Sequence, residues 1–267
     1  MQRNILKAAI AAPFVFGPVM ARAQSSADYS APRNASVDAA GARSVRVEAG
    51  AGILRIEGKP GLTRVEVKGT ASASSQSVLK DIKLVAERRG DEVYIKADMP
   101  ESDFTWSDNQ HNEALDLIIE VPQGLDANVS DGSGDTEISN VGALEASDGS
   151  GDFKVDGAKS VRITDGSGGL VITNVAGDVR VRDGSGEIDV RNVSGSFTVE
   201  SDGSGGIFAT DVKGSVLVEH DGSGEISATR VGRDLIVESK GSGEVTYSAV
   251  TGRVDIPDRR RGRYRDN

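Results

Sequence analysis

The sequence predicts an all-β protein: a parallel β-solenoid, or β-helix, of 17–19-residue coils, with a less regular β portion ahead of it. Three observations predict it. Asp-Gly-Ser-Gly begins at Asp131, Asp148, Asp165, Asp183, Asp202 and Asp221, and Lys-Gly-Ser-Gly begins at Lys240. Between these tetrapeptides, apolar residues alternate with polar ones in the period-2 pattern of half-buried strands. The composition, with 33 glycines and 4% aromatics, suits many short strands joined by tight turns and does not suit a helical bundle or an aromatic-rich core. A fixed short period marks a solenoid because one such coil cannot bury its apolar face except against its neighbours.

Residues 1–23 have the features of an export signal. Arg3 and Lys7 make the start basic, Ala8 to Met20 form a short apolar run, and Ala21-Arg22-Ala23 is an A-x-A cleavage pattern. Its removal takes away Arg3, Lys7 and Arg22 and no acids, leaving 28 basic residues against 41 acidic ones and a net charge of −13. Such a balance disfavours nucleic acid as a partner and favours solubility and cationic partners. The chain has no cysteine, hence no lipobox and no disulfide, and packing and backbone pairing must stabilise it.

Residues 24–43, rich in Ser, Ala and Asn, are expected to form a flexible linker. Residues 44–130 form an irregular β portion, with alternation at Val45/Val47, Leu54/Ile56, Val65/Val67 and Val93/Ile95 and then through Leu115, Leu117, Ile119 and Val121. Gly50 to Gly69 resembles a degenerate copy of the later repeat, so early coils are expected here. Met99 to Glu113 interrupts the pattern and is expected to be a loop.

Residues 131–256 are the regular repeats. A representative coil places Ile188, Val190, Val193, Phe197 and Val199 at positions that recur in every coil, the last being Val245, Tyr247, Val250, Val254 and Ile256. Each coil therefore holds two short strands, with one corner at Gly-Ser-Gly and the other at Val-x-Gly. Their inward columns stack from coil to coil. At a strand spacing of ~4.8 Å, seven coils extend about 34 Å. Ser201, His220 and Ser239 each add one residue before the turn, which lengthens the later coils to 19 residues and is expected to add twist or curvature.

The turn chemistry has a structural explanation. Glycines at the second and fourth positions allow positive φ, and the Asp side chain can accept from a backbone N–H two residues on. Stacking also lines up Asp131, Asp148, Asp165, Asp183, Asp202 and Asp221 as a carboxylate ladder. A second acidic set, Asp135, Asp152, Glu187, Glu225 and Glu244, lies beside it. These six aspartates are the only candidate metal ligands. Calcium would suit their oxygens, but the β-roll calcium signature is absent, so no cofactor is expected.

No catalytic constellation emerges. There are two histidines, His111 and His220, too few for a three-histidine zinc site, and His220 suits a solvated turn. The serines lack a nucleophile elbow, and no phosphate-binding glycine loop occurs. The chain is therefore read as non-enzymatic. A polysaccharide-active β-helix is the remaining enzymatic alternative, with Arg180, Arg182, Asp189, Arg191 and Glu200 on outer faces as ordinary mixed surface charge. Residues 257–267 form a basic tail expected to be disordered. Its Arg259, Arg260, Arg261, Arg263 and Arg265 are positioned either to guard the open solenoid edge or to contact an anionic surface.

The repeat D-G-S-G-(D/E)-(I/V)-x-(V/A)-x-x-V-x-G-x-(V/F/L)-x-V-x-S resembles that of a bacterial family provisionally named as adhesins, of unknown function. The resemblance covers Asp131 to Ile256 and extends to Ile119-Glu120-Val121-Pro122 ahead of the repeats. It implies an exported β-solenoid of the periplasm, cell surface or secreted fraction. The expected role is non-catalytic binding or structure at the cell envelope, against a glycan, polymer or protein surface. It supplies no catalytic residues. A cation-stabilised scaffold is the alternative role.

Overall fold

The computed structural model describes residues 29–100 and 113–257. The proposed leader, His111 and the five tail arginines lie outside the described residues.

The chain begins with β1 (Tyr29–Asp38), β2 (Ser44–Glu48), β3 (Leu54–Lys59) and β4 (Arg64–Ala73). A short helix, α1 (Gln76–Asp81), leads into the hairpin β5 (Lys83–Arg89) and β6 (Glu92–Asp98), and β7 (Ala114–Pro122) follows. The repeats supply β8 (Asp126–Ser130), β9 (Thr136–Asp148), β10 (Phe153–Asp165), β11 (Leu170–Val175), β12 (Val179–Asp183) and β13 (Ile188–Val193). They continue through β14 (Phe197–Ser201), β15 (Ile207–Val212), β16 (Val216–Ser223), β17 (Ile226–Val231), β18 (Leu235–Ser242), β19 (Val245–Val250) and β20 (Val254–Asp255). The result is the expected parallel β-solenoid.

Two stacks of parallel strands face each other across the core. The first halves of β9 and β10 continue into β11, β13, β15, β17 and β19, each pairing with the equivalent strand one coil away. The second halves of β9 and β10 continue into β12, β14, β16, β18 and β20. The inward columns are filled as the alternation demands: Ile188, Val190, Val193, Phe197 and Val199 are all fully buried. Burying each such side chain contributes roughly 1.5–3 kcal/mol. The last coil departs from this pattern. Tyr247 is 52% exposed, and Val245, Val250, Val254 and Ile256 are only half-buried, because among the described residues that coil has a neighbouring coil on one side alone.

The early coils are threaded out of sequence order. β2 pairs in parallel with both β6 and β8, and β3 with both β7 and β9. The coil made by β2 and β3 thus lies between one made by β6 and β7 and one made by β8 and β9. Its Gly50-Ala51-Gly52 turn stacks on the first Asp-Gly-Ser-Gly, with Ala51 bridged to Ser133. β4 is not the second strand of a coil, as the likeness of Gly50–Gly69 to a repeat suggested. It runs antiparallel to β7 and to β1, while β5 runs antiparallel to β6. These antiparallel strands close the N-terminal end of the stack.

Part of the expected linker is therefore structured: residues 29–38 are β1, in register with β4 from Tyr29↔Ala73 to Asp38↔Arg64. Alternation at Ala31, Ala35 and Val37 places small apolar groups against the core. Helix α1 is held at its start by Ser75, whose Oγ accepts from Val78 N at 3.2 Å. At its end Arg33 donates to Leu79 O at 2.7 Å and Ile82 O at 2.9 Å, satisfying carbonyls that a helix terminus leaves open.

The turn glycines have two different jobs. The fourth-position glycines take positive φ, for example Gly205 at +144°. The second-position glycines do not; they are needed because the backbones of successive turns nearly touch. A Cβ on Gly203 would lie 2.3 Å from Gly184 O, and one on Gly205 would lie 1.6 Å from Gly186 O. Away from these turns, each regular coil has a left-handed residue just before its third inward position: Asn140, Gly157, Asn174, Asn192, Asp211, Arg230 and Ala249. Asn and Gly tolerate this conformation, and the other side chains do so at a cost.

Candidate functional site

The aspartate column is buried. Asp131, Asp148, Asp165, Asp183, Asp202 and Asp221 are each only 4–6% exposed. Strand register places Asp165 between Asp148 and Asp183 and pairs Asp202 with Asp221, which in turn pairs with Lys240. Asp131 does not make the expected turn bond to the N–H two residues on. Asp131 accepts instead from Gly132 N at 2.9 Å and from Thr136 Oγ1 at 3.0 Å. In the other five, neither carboxyl oxygen makes a close hydrogen bond, although the nearby N–H groups of Ser167 and Ser204, two residues on from Asp165 and Asp202, favour the charged forms. The second acidic set, by contrast, is exposed to solvent.

A stack of ionised carboxylates offers only acceptors, so it cannot satisfy itself; a proton on alternate members turns each neighbour contact into an O–H···O bond. The electrostatics follow this logic. Desolvation, then repulsion from Asp131 and Asp165, raises Asp148 to about 7. Desolvation, then Asp165 and Asp202, raises Asp183 to about 7. Asp165 between them is also raised by burial, but both neighbours donate to it and favour its charged form. Desolvation and then Asp221 raise Asp202 to about 6. At the ends, burial raises Asp131 against the pull of Thr136 and Gly132. It raises Asp221 against the pull of Asp202 and Lys240. Among the described residues no three His, Asp or Glu side chains are arranged to hold a metal ion.

The outer face of the second stack carries a different feature. An open groove of about 480 Å³ crosses β6, β2, β8, β9, β10 and β12. Its walls include Arg46, Glu92, Asn128, Glu145, Arg162 and Arg180. Alternation aims these side chains outward, and coil stacking lines them up across successive strands. Arg46 is paired with Glu92 at 3.3 Å. Beyond the groove, three arginines converge on one carboxylate: Glu200 lies 3.3 Å from Arg162, 4.0 Å from Arg180 and 2.9 Å from Arg182. Glu200 stands where the register slips, Arg182 pairing with Ser201. That slip is a β-bulge at the point where the coils lengthen, and it re-aims Glu200 toward the preceding coils.

The expected outer-face charges are therefore divided. Arg180, Arg182 and Glu200 come together with Arg162, whereas Asp189 and Arg191 pair with each other on the opposite stack. Arg162 was not singled out in the sequence, although its register with Arg180, one coil later, was legible. His220 is exposed as expected, but it lies within strand β16, in register with Ser239, rather than in a turn.

No known family model matches the chain, and no curated protein matches it. Solved structures do. A protein from Parabacteroides distasonis, provisionally named as lipid-binding, is 15% identical, with a TM-score of 0.50 over 84% of this chain and 97% of that one. A provisionally named cell adhesion protein from Clostridium sporogenes is 14% identical, with a TM-score of 0.37 over 84% of this chain and 100% of that one. A provisionally named adhesin from Bacteroides fragilis is 13% identical, with a TM-score of 0.38 over 86% of this chain and 98% of that one. At 15% identity the likeness to the Parabacteroides distasonis structure is one of fold alone. Among the described residues no helix is long and apolar enough to cross a membrane.

Proposed function

We propose that this protein is a non-catalytic, adhesin-like binding or structural module of the bacterial cell envelope, exported to the periplasm or cell surface. The observation that carries this function is the open polar groove spanning six neighbouring strands on one face. A solenoid of in-register coils holds its outward side chains at a constant spacing, so an extended partner can be met by several coils at once. The volume lies within the ~300–1,000 Å³ common for ligand sites, but the groove is open and lined by charged and polar side chains together with Ala127, Ala143, Leu144 and Val161, which suits a chain-like polymer better than an enclosed small molecule. The partner is an envelope glycan, polymer or protein surface.

The test is co-sedimentation of residues 24–267 with isolated bacterial envelopes, with and without calcium. Saturable sedimentation in both conditions is expected. Sedimentation that requires calcium, together with a calcium-dependent rise in melting temperature, would favour the cation-stabilised scaffold instead. Loss of polymer viscosity on incubation would favour an enzyme.

A further inference from the structure

Resting on the binding-module function proposed above, we infer that the partner is an acidic polysaccharide held by Arg162, Arg180 and Arg182. The inference starts from stoichiometry. Other outward arginines that form ion pairs have a carboxylate to themselves, as in Arg55 with Glu137, Arg46 with Glu92 and Arg230 with Asp211. Here three guanidinium groups share Glu200, an excess of two positive charges on a chain whose net charge is −10.

Exposure shows which way the cluster faces. The side chain of Glu200 is 21% exposed, whereas those of Arg162, Arg180 and Arg182 are 52%, 52% and 59% exposed. The carboxylate thus lies beneath and positions the arginines, which present their forks to solvent. Arg162 and Arg182 each give Glu200 one hydrogen bond. A guanidinium has five N–H donors, so most of this donor capacity faces outward. Planar forks of this kind match carboxylate and sulfate oxygens in paired hydrogen bonds.

The surroundings narrow the class. Arg162 and Arg180 belong both to the cluster and to the groove, so an anionic chain bound at the cluster can continue into the groove. Asn128 and Ser160 in the groove, and Ser130, Ser147 and Thr164 in a depression beside it that shares Asn128, Glu145 and Arg162, offer amide and hydroxyl groups to sugar hydroxyls. Glu145, in register with Arg162, disfavours an anionic group at that next position, so charge along the ligand must be spaced rather than continuous. The groove has no aromatic wall for stacked bases, and the acidic body repels a polyphosphate. A sugar polymer with intermittent carboxylates fits these constraints.

The experiment measures binding of residues 24–267 to immobilised hyaluronate, in which every second sugar carries a carboxylate, and to polygalacturonate, in which every sugar does. Neutral dextran and phosphatidylglycerol vesicles serve as comparisons, at about 50 and 500 mM salt. Charge-assisted hydrogen bonds are worth ~1.5–3 kcal/mol, so loss of the arginine contacts should weaken binding at least about tenfold. The variant carries Arg162→Gln, Arg180→Gln and Arg182→Gln together; Arg230→Gln is the control that should bind as the parent does. All are checked for unchanged circular dichroism. Salt-sensitive binding to the acidic polysaccharides that the triple variant loses supports the inference. Equal binding by parent and triple variant overturns it, as does binding to vesicles alone. If the triple variant loses nothing yet the parent still sediments with envelopes, only the ligand assignment falls. If the parent binds neither envelopes nor any polymer, the envelope function falls with it.

Discussion

Raising the pH should loosen the solenoid along its buried aspartate column, and Asp183→Asn should remove part of that sensitivity. Asp183 is 4% exposed, its oxygens make no close hydrogen bond, and burial between Asp165 and Asp202 raises its pKa from 3.8 to about 7. A carboxyl that is harder to ionise when folded contributes stability that is fully present below 3.8 and is lost as pH rises through about 7. At 1.36 kcal/mol per pH unit, that shift corresponds to about 4 kcal/mol between the acidic and alkaline limits for Asp183 alone. Asp148 faces the same window, and because neighbouring carboxyls titrate together the column's loss is less than the sum of its members. Asn is nearly the same shape, is neutral at every pH and can donate to a neighbouring carboxylate. Urea unfolding of parent and Asp183→Asn at about pH 5, 7 and 9 checks this. The two should be similar at pH 5, and, since only the span from pH 5 to about 7 then separates them, the variant should be the more stable by about 2–3 kcal/mol at pH 9. An infrared carboxylic-acid carbonyl band at pH 7, reduced in the variant, should accompany it. Stability differences that stay constant from pH 5 to 9 would refute the proton-sharing column.

Three further outcomes follow from the same geometry. Gly205→Ala places a Cβ 1.6 Å from Gly186 O at a φ of +144°, so it should cost at least about 3 kcal/mol, read as a lower urea midpoint. Ala249→Gly relieves a left-handed alanine at φ 53° and, net of the extra freedom of glycine when unfolded, should stabilise the last coil by about 0.5–1 kcal/mol. Hydrogen exchange in β17 and β19 is the sensitive measurement. Lys240→Asp replaces the cation that favours the ionised form of Asp221 with another carboxyl in register with it, so the pKa of Asp221 should rise further and more stability should be lost between pH 5 and 9. A melting profile unchanged between pH 5 and 9 would contradict that role for Lys240.

The repeat region was legible because its physics is local and then repeated. Period-2 alternation named the inward positions from Leu170 to Val237, and these are buried. The Asp-Gly-Ser-Gly interval also showed which side chains stack. Chain order, however, cannot say that β2 and β3 lie between the β6–β7 and β8–β9 coils, since edges that accept a parallel partner look alike in sequence. Nor could the polar, weakly periodic stretch at residues 29–38 reveal β1, whose strand state depends on pairing with β4. The aspartates were found by their spacing, but their burial was not, because Asp in a glycine turn ordinarily faces water. Arg162 joins Arg180, Arg182 and Glu200 only because a bulge turns Glu200 back across two coils. Sequence determined by itself which residues repeat and which face inward, because alternation is a property of the strand backbone. Tertiary structure alone decided which coils touch, which carboxyls lose their water and which charges meet, because those depend on the register between strands distant in the chain.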